Sequence, residues 1–366
     1  MKCYAPWHSL TVRFNGDIAA DCVYTARYGN ILKQSLEDIL SSDQSKSTKS
    51  SILNNILPQE CNQCTAKENV NGHSRRIFFN EVLNPIIPIQ SNYTTDYNDI
   101  VFLEFNMSNV CNLKCRMCSG INSTAWIKED IKLSKYPILQ RPINSPEFGY
   151  TNISEDIVDL LFADSKYFTN LKYVNIKGGE PYLEPANKKI MQKLISMGIA
   201  KNIILDISTN GTIIDLEFDD LALQFKETRW HVSIEGTGDL YEYIRGGDHF
   251  TFKQLEENIK SFSKFDRVIL AGTVMTYNVC HLKELEEWFT KIKQPNFELY
   301  FNNVVTTPSY LNPSLLPDYI LQGTGYKHNA SLASEVKTFV EYTNRVDELR
   351  GTNILDVCPE LSSLFS

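Results

Sequence analysis

Three closely spaced cysteines occur in the stretch Cys111-Asn112-Leu113-Lys114-Cys115-Arg116-Met117-Cys118, shortly after the mostly apolar residues 101–105. Cubane [4Fe–4S] clusters are normally held by four cysteine thiolates, one on each iron. Three thiolates at this spacing leave one iron open. The stretch therefore predicts a cluster whose open iron can bind a further molecule, rather than a closed structural or electron-relay cluster.

Zinc is the main alternative for a CxxC pair with a third cysteine nearby. Such zinc sites usually contain a fourth Cys or His close in sequence, and residues 119–140 contain neither. Chance clustering is disfavoured because the chain has only nine cysteines in 366 residues. The triplet therefore favours an iron–sulfur cluster over zinc and over chance.

From about residue 101 onward, short β-rich segments alternate with segments of helical periodicity. Repeated strand–helix units predict a parallel sheet with crossover helices, and ligands bind at the carboxyl ends of such strands. Six units are too few for a closed eight-stranded barrel, so we expect the α/β class with a partial (β/α)6 TIM-like barrel. The predicted strands are 101–106, 173–177, 203–208, 229–234, 268–275 and 297–304, and predicted helices begin near 154 and 185 and span 252–265 and 282–292.

The chain is expected to have three parts. Residues 1–90 are rich in turn residues, carry four cysteines, and include the serine-rich segment 41–51, which is compatible with a loop or a weak helix. Residues 95–305 contain the strand–helix units of the barrel. Residues 306–366 form a C-terminal extension of unknown role, with one expected helix at 333–349.

The overall composition is that of an ordinary globular protein, with 42% hydrophobic and 22% charged residues. The net charge of −8 argues against general nucleic-acid binding, because no basic excess supplies phosphate contacts. No apolar run is long enough to span a membrane, and the N-terminus lacks the apolar core of a signal peptide. We therefore expect a cytoplasmic protein, where clustered thiols favour metal binding over disulfides.

Polar motifs follow the second and third predicted strands of the barrel. In Gly178-Gly179-Glu180-Pro181, the glycines would allow a ligand close to the backbone, and the carboxylate could accept hydrogen bonds from an ammonium group. Ser208 and Asn210 could bond hydroxyl or carboxylate groups. Both motifs are also good ordinary turns, so each is ambiguous by itself.

Two further candidates end the fourth predicted strand, Ser233 and Glu235, and Arg245 follows downstream. A guanidinium group is a planar, bidentate partner for a carboxylate. The alternative interpretation of Arg245 is a surface ion pair.

In their order along the chain, these motifs resemble the radical S-adenosylmethionine (SAM) superfamily, whose signature is the CxxxCxxC spacing. The resemblance covers residues 100–305. It implies that Cys111, Cys115 and Cys118 hold a catalytic [4Fe–4S] cluster whose open iron binds SAM. It also implies SAM contacts near the methionyl amino group, the ribose and the carboxylate, from Gly178, Gly179, Glu180, Ser208, Asn210, Ser233, Glu235 and Arg245.

A second metal site is expected in the N-terminal part, where Cys3 and Cys22 are followed by the CxxC pair Cys61 and Cys64. The spacing resembles the SPASM/Twitch modules that hold auxiliary iron–sulfur clusters in radical SAM enzymes, although such a module usually follows the barrel. No further cysteine occurs before Cys111, so the module resembles a shortened version with one auxiliary cluster, expected to be [4Fe–4S]. Four thiolates with a CxxC pair would also suit tetrahedral zinc.

The resemblance implies reductive cleavage of SAM to a 5′-deoxyadenosyl radical and hydrogen abstraction from a peptide or protein substrate, with flavodoxin or ferredoxin as electron donor. One alternative is a cofactor-biosynthetic radical cyclase acting on a small molecule such as a purine nucleotide. Another is a non-enzymatic iron–sulfur or zinc redox sensor. The two remaining cysteines, Cys280 and Cys358, are expected to be buried apolar residues.

Overall fold

The computed structural model describes residues 3–22, 24–71, 74–83, 85–86, 93–145, 147–149, 156–246 and 250–365. The chain divides into two compact units, each assembled from segments that are distant in sequence. The first consists of Met1–Ser108, Thr151–Ile207 and Asp215–Thr228, and the second of Asn109–Tyr150, Ser208–Ile214 and Arg229–Ser366.

The described residues form nine β-strands. They are β1 Ser9–Arg13, β2 Asp17–Ala19, β3 Gly29–Asn30, β4 Phe102–Asn106, β5 Tyr173–Lys177, β6 Ile204–Thr209, β7 Glu227–Ser233, β8 Arg267–Val274 and β9 Phe297–Val304.

Helices separate most of these strands along the chain. They are α1 Ala5–His8, α2 Leu36–Leu40, α3 Asp43–Leu53, α4 Asn62–Asn71, α5 Arg75–Leu83, α6 Ile127–Leu133, α7 Asp156–Leu161, α8 Pro185–Ser196, α9 Leu216–Ala222, α10 Gly238–Arg245, α11 Phe252–Ser261, α12 Leu282–Ile292, α13 Asp318–Leu321 and α14 Glu335–Arg350. No helix in the described part of the chain is long and apolar enough to cross a membrane.

In the first unit, β4, β5 and β6 pair in parallel, with Leu103 opposite Val174 and Val174 opposite Leu205. These side chains are fully buried, as expected for parallel strands covered on both faces. The N-terminal strand β1 adds to this sheet in parallel beside β4, and β2 and β3 extend it in antiparallel pairs. Residues 1–90 are therefore more regular than their turn-rich composition predicts, because β1 buries its apolar residues against β4.

In the second unit, β7, β8 and β9 also pair in parallel, and the register of β8 against β9 shifts between Ala271 and Thr273. A large apolar core in this unit includes residues of α14, among them Phe339, Tyr342 and Val346. The helix expected at 333–349 is thus confirmed, and its apolar face is buried.

The predicted α/β class with parallel strands is confirmed. All six strands expected from residue 101 onward occur within two residues of their predicted bounds, and the alternation with helices is also present. The ambiguous segment 41–51 is mostly helical, because the Ser42 side chain caps α3 by accepting a hydrogen bond from the Ser45 backbone. Of the helix expected from residue 154, positions 154 and 155 lie outside the described residues, and α7 covers Asp156–Leu161.

Candidate functional site

The three cysteines Cys111, Cys115 and Cys118 lie on the loop that follows β4, in the second unit. Cys115 is buried, and the other two are half-buried. A hydrogen bond from the Cys118 thiol, together with the Arg245 guanidinium, lowers the pKa of Cys115 to about 7 despite its burial. The same hydrogen bond and burial raise the pKa of Cys118. Because iron binds thiolates, a loop that favours one thiolate near neutral pH suits a metal cluster.

The backbone of this loop is attached to the C-terminal end of α10. The Lys114 amide donates to the Gly246 carbonyl at 2.7 Å, and the Arg116 amide donates to the Ile244 carbonyl at 2.8 Å. Gly246 has a positive φ of 51° and a Cβ there would lie 3.1 Å from the Lys114 carbonyl oxygen. The glycine therefore allows the close approach between the helix end and the loop.

Arg116, within the cysteine motif, is almost fully buried and anchors the loop to α14. Its guanidinium donates to Asp347 at 2.5 Å and lies 3.5 Å from the centre of the Tyr243 ring. The Tyr342 hydroxyl donates to the Arg116 carbonyl at 2.7 Å, and Arg350 donates to the Lys114 carbonyl at 2.8 Å. The C-terminal extension, whose role was unknown from the sequence, thus supports the cysteine loop.

Arg245 and Glu235 form a buried, bidentate ion pair beside Cys115. One Arg245 nitrogen donates to Glu235 at 2.7 Å, the Arg245 Nε donates to the other carboxylate oxygen, and Arg245 Nη1 lies 3.4 Å from the Cys115 sulfur. Glu235 is also fixed through its backbone carbonyl, which accepts a hydrogen bond from Asn278 at 2.8 Å. The structure therefore excludes a simple surface ion pair for Arg245, which is 8% exposed.

Asn210 combines a turn with a contact to the cysteine loop. Its Nδ2 lies 3.7 Å from the Cys111 sulfur and donates to Asn112 at 2.9 Å. Its Oδ1 accepts hydrogen bonds from the amide and hydroxyl of Thr212, as in an ordinary Asx turn. The Asn-Gly motif therefore forms the ordinary turn, and the same turn orients the Asn210 amide toward a thiol. A ligand contact of Asn210 stays a prediction.

The two serine candidates lie at or near strand ends, as predicted. Ser208 is the second-to-last residue of β6, and Ser233 is the last residue of β7. Both are half-buried. Like Asn210, Glu235 and Arg245, they belong to the second unit.

Gly178, Gly179 and Glu180 belong to the first unit and follow β5 directly. Gly178 has a φ of 137°, and a Cβ there would lie 2.5 Å from the Ser108 carbonyl oxygen, so only glycine fits. The Gly179 amide donates to the same oxygen at 2.7 Å. Glu180 is 1% exposed and accepts a hydrogen bond from the Tyr182 amide at 3.3 Å.

In the N-terminal part, Cys3, Cys61 and Cys64 line one mostly apolar cavity, together with Tyr24 and Phe79 among others. Burial raises the pKa of Cys3 to about 12 and that of Cys61 to about 11. These thiols are therefore neutral at neutral pH by themselves and would lose their protons on binding a metal.

Arg76 lines the same cavity and is 5% exposed. It pairs with Glu68, but its Nη1 is buried without a hydrogen-bond partner among the described residues. A buried N–H without an acceptor is costly. A cluster's sulfur atoms would accept such a hydrogen bond, so the three cysteines and Arg76 fit an iron–sulfur cluster.

The fourth predicted ligand, Cys22, is not among the described residues that line this cavity, although its neighbour Asp21 is. Cys22 lies beside Glu104, which is fully buried and forms ion pairs with Arg75 and Lys177, each at 2.8 Å. Burial raises the pKa of Cys22 to about 12. The structure thus brings three of the four N-terminal cysteines to one cavity, and ligation by Cys22 stays a prediction.

Comparison with protein families identifies the chain. The model of the radical SAM superfamily matches residues 105–295, more than half of the chain, and that of SPASM, an iron–sulfur cluster-binding domain, matches residues 3–65. The chain belongs to the radical SAM superfamily and carries an N-terminal SPASM module. This confirms the predicted class of enzyme and its cofactors, which are SAM, a [4Fe–4S] cluster and an auxiliary iron–sulfur cluster.

Similarity to solved structures is weak. It includes anSMEcpe with bound AdoMet, at 18% identity and a TM-score of 0.40, with 69% of this chain and 63% of that chain covered. Streptococcus suis SuiB bound to precursor peptide SuiA has 14% identity and a TM-score of 0.39, with 82% and 64% covered. TsrM, a radical SAM methyltransferase from Kitasatospora setae, has 9% identity and a TM-score of 0.38, with 58% and 39% covered.

The chain therefore spans less than two thirds of the length of these structures. No curated protein sequence matches it significantly. Similarity at this level assigns neither a substrate nor a reaction.

Proposed function

We propose that this chain binds SAM beside the Cys111, Cys115 and Cys118 loop, cleaves it reductively, and abstracts a hydrogen atom from a peptide or protein. When bound, the [4Fe–4S] cluster supplies the electron that breaks SAM into methionine and a 5′-deoxyadenosyl radical. The observation that carries the proposal is the pair of N–H donors at the thiols. Arg245 lies 3.4 Å from the Cys115 sulfur, and Asn210 lies 3.7 Å from the Cys111 sulfur.

The chain's own residues hold and orient the three thiolates. N–H groups that face sulfur stabilise its negative charge, and the buried Glu235 balances the positive charge of Arg245. The anchors from Arg116 to α14 restrict movement of the loop, so the thiolates are preorganised.

The proposed SAM contacts use the remaining strand-end residues. Glu180 accepts hydrogen bonds from the methionyl ammonium, and Gly178 and Gly179 allow SAM close to the backbone. Ser208, Asn210, Ser233 and Glu235 bind the ribose side. Arg245, whose planar group is held in place by its bidentate pair with Glu235, is proposed to donate a remaining N–H to the methionyl carboxylate.

For the auxiliary site, we propose a [4Fe–4S] cluster held by Cys3, Cys22, Cys61 and Cys64, with Arg76 donating a hydrogen bond to it. The cavity lined by three of these cysteines supports the assignment.

We also propose flavodoxin or ferredoxin as the electron donor and the cytoplasm as the location of the protein.

The first test compares wild type with the variant Cys111→Ala/Cys115→Ala/Cys118→Ala after anaerobic reconstitution. Iron and labile sulfide are measured per chain, and 5′-deoxyadenosine is quantified by HPLC after addition of SAM and dithionite. We expect about eight irons to fall to about four, because each cubane holds four irons. 5′-Deoxyadenosine should form only in wild type.

Cys280→Ala is the matched control, since it removes a cysteine outside both proposed cluster sites and should keep about eight irons. Fully loaded wild type that neither binds SAM in calorimetry nor forms 5′-deoxyadenosine would reject SAM cleavage and favour a redox sensor. Cleavage coupled to purine nucleotides and not to peptides would replace the proposed substrate class by that of a radical cyclase.

A further inference from the structure

Three residues with metal-binding side chains meet in the second unit, apart from both sets of cluster cysteines. His281 directly precedes α12, and Cys358 and Glu360 flank the proline that begins the final 3-10 turn, Pro359–Leu364. One ligand atom from each residue lies within 4.8 Å of the other two, and His281 Nε2 lies 2.9 Å from Glu360 Oε1.

The donor set suits zinc. Imidazole nitrogen, thiolate sulfur and carboxylate oxygen are its usual protein ligands, and zinc sites with three protein ligands leave a fourth position for water. In a tetrahedron with bonds of about 2.0–2.3 Å, neighbouring ligand atoms are about 3.3–3.8 Å apart, so the present separations require shifts of about 1 Å.

The environment of the three groups also suits an ion. Cys358 is fully buried, whereas the His281 and Glu360 side chains are 21% and 31% exposed, so an ion can enter from solvent. Glu284 lies 3.5 Å from His281 Nδ1. A carboxylate on Nδ1 fixes the tautomer whose Nε2 is available as a ligand.

Without a metal, hydrogen bonds provide a competing explanation for this cluster. The Cys358 thiol donates to the Tyr277 carbonyl at 3.1 Å, and His281 pairs with Glu360. The neighbouring Cys280 is not part of the group, because its thiol faces the Ile320 carbonyl at 3.6 Å. A metal site would retain an ion, whereas a cluster held only by hydrogen bonds would not, so metal retention distinguishes the two explanations.

We propose that His281, Cys358 and Glu360 bind a zinc ion with water as the fourth ligand. The ion connects the C-terminal residues 354–365 to the segment that follows β8. That segment includes Asn278, which holds the Glu235 backbone. The site is separate from the iron–sulfur chemistry and does not depend on it.

The test uses holoprotein with reconstituted clusters, given one equivalent of zinc and then desalted. Zinc and iron per chain are measured by mass spectrometry in wild type, Cys358→Ser, His281→Gln and Glu360→Gln, with Cys280→Ser as the matched control. We expect one zinc per chain in wild type and in the control. The zinc retained per chain should fall at least about tenfold in the three variants, since each removes a ligand. Unchanged iron in the variants shows that they fold.

Zinc-edge X-ray absorption separates this site from zinc bound at cluster cysteines. We expect one sulfur at about 2.3 Å and otherwise nitrogen or oxygen ligands. No retained zinc in wild type, a shell of several sulfurs, or equal zinc loss in Cys280→Ser would each overturn the proposal. Glu360→Gln, which alters a partly exposed side chain, keeps the test valid if Cys358→Ser fails to fold.

Discussion

At the scale of single residues, buried guanidinium groups determine how the three-cysteine loop is held. Arg245 pairs with Glu235, whose side chain is 1% exposed. Burial raises the pKa of Glu235, and only the charge and hydrogen bonds of Arg245 and the Thr273 amide oppose that effect. Removing one partner of a buried pair leaves an uncompensated charge, which is far more costly than removing an exposed pair.

We therefore expect Arg245→Met to lower the free energy of unfolding by about 3–5 kcal/mol. The matched control is Arg267→Met, which breaks the exposed pair with Glu298 and should cost about 0–1 kcal/mol. Anaerobic urea titrations followed by tryptophan fluorescence measure both. Equal costs for the two variants would contradict the buried-pair interpretation.

At the scale of elements, the turn after β5 depends on a backbone conformation that only glycine adopts. Gly178 has a φ of 137° and lies against the Ser108 carbonyl, which also accepts the Gly179 hydrogen bond. Gly198, in the turn after α8, has a φ of 72° but open space around its Cβ position. A side chain would strain the backbone at both positions, but it would also contact neighbouring atoms at Gly178. Comparing the two positions therefore isolates the effect of the steric contact.

Gly178→Ala should lower the free energy of unfolding by about 1–3 kcal/mol through backbone strain, and the steric contact with Ser108 should lower it further. Gly198→Ala should lower it by only about 1–2 kcal/mol. Because Gly178 begins the proposed SAM-binding turn, its variant should also weaken SAM binding at least about tenfold, measured by calorimetry on the reconstituted protein. Gly198→Ala should leave SAM binding unchanged. Wild-type affinity in Gly178→Ala would remove this turn from the proposed SAM site.

At the scale of the whole molecule, stability depends on pH through buried groups such as Lys49. Its ammonium donates to Asn98 at 2.7 Å and to the Tyr97 carbonyl at 3.1 Å. Burial nevertheless lowers the pKa of Lys49 to about 8 from its ordinary value of 10.5. Between these two values the unfolded chain holds a proton that the folded chain has released, so stability rises with pH in that window.

The wild type should therefore gain stability relative to Lys49→Met as pH rises from 8 to 10.5, by up to about 3 kcal/mol. The difference in free energy of unfolding between the two proteins reports on Lys49 alone, because other groups that titrate in this range are the same in both. Urea titrations at several pH values measure this difference. A difference that stays constant with pH would show that the folded pKa of Lys49 is not lowered.

Much of the fold and half of the site followed from local patterns. Six strands, the main helices and the three cysteines on one loop were predicted, because strand and helix periodicity and the CxxxCxxC spacing are properties of neighbouring residues. The strand β1 was missed, since its apolar run is short and its partner β4 lies about ninety positions away. The role of α14 was missed because periodicity shows that a face is buried but does not identify its partner.

The sequence by itself determined the class of this protein, the cysteines proposed for the two cluster sites and the order of the strands from residue 101 onward. Only the tertiary structure decided which groups face those thiols. Arg245 contacts Cys115, which is 130 positions away in the sequence, and Arg116 contacts Asp347, which is 231 positions away. The tertiary structure also places Cys3 near Cys61 and Cys64 and Cys22 beside Glu104. It likewise places His281 near Cys358. Such contacts arise when packed elements bury distant side chains together, and no local pattern of residues encodes them.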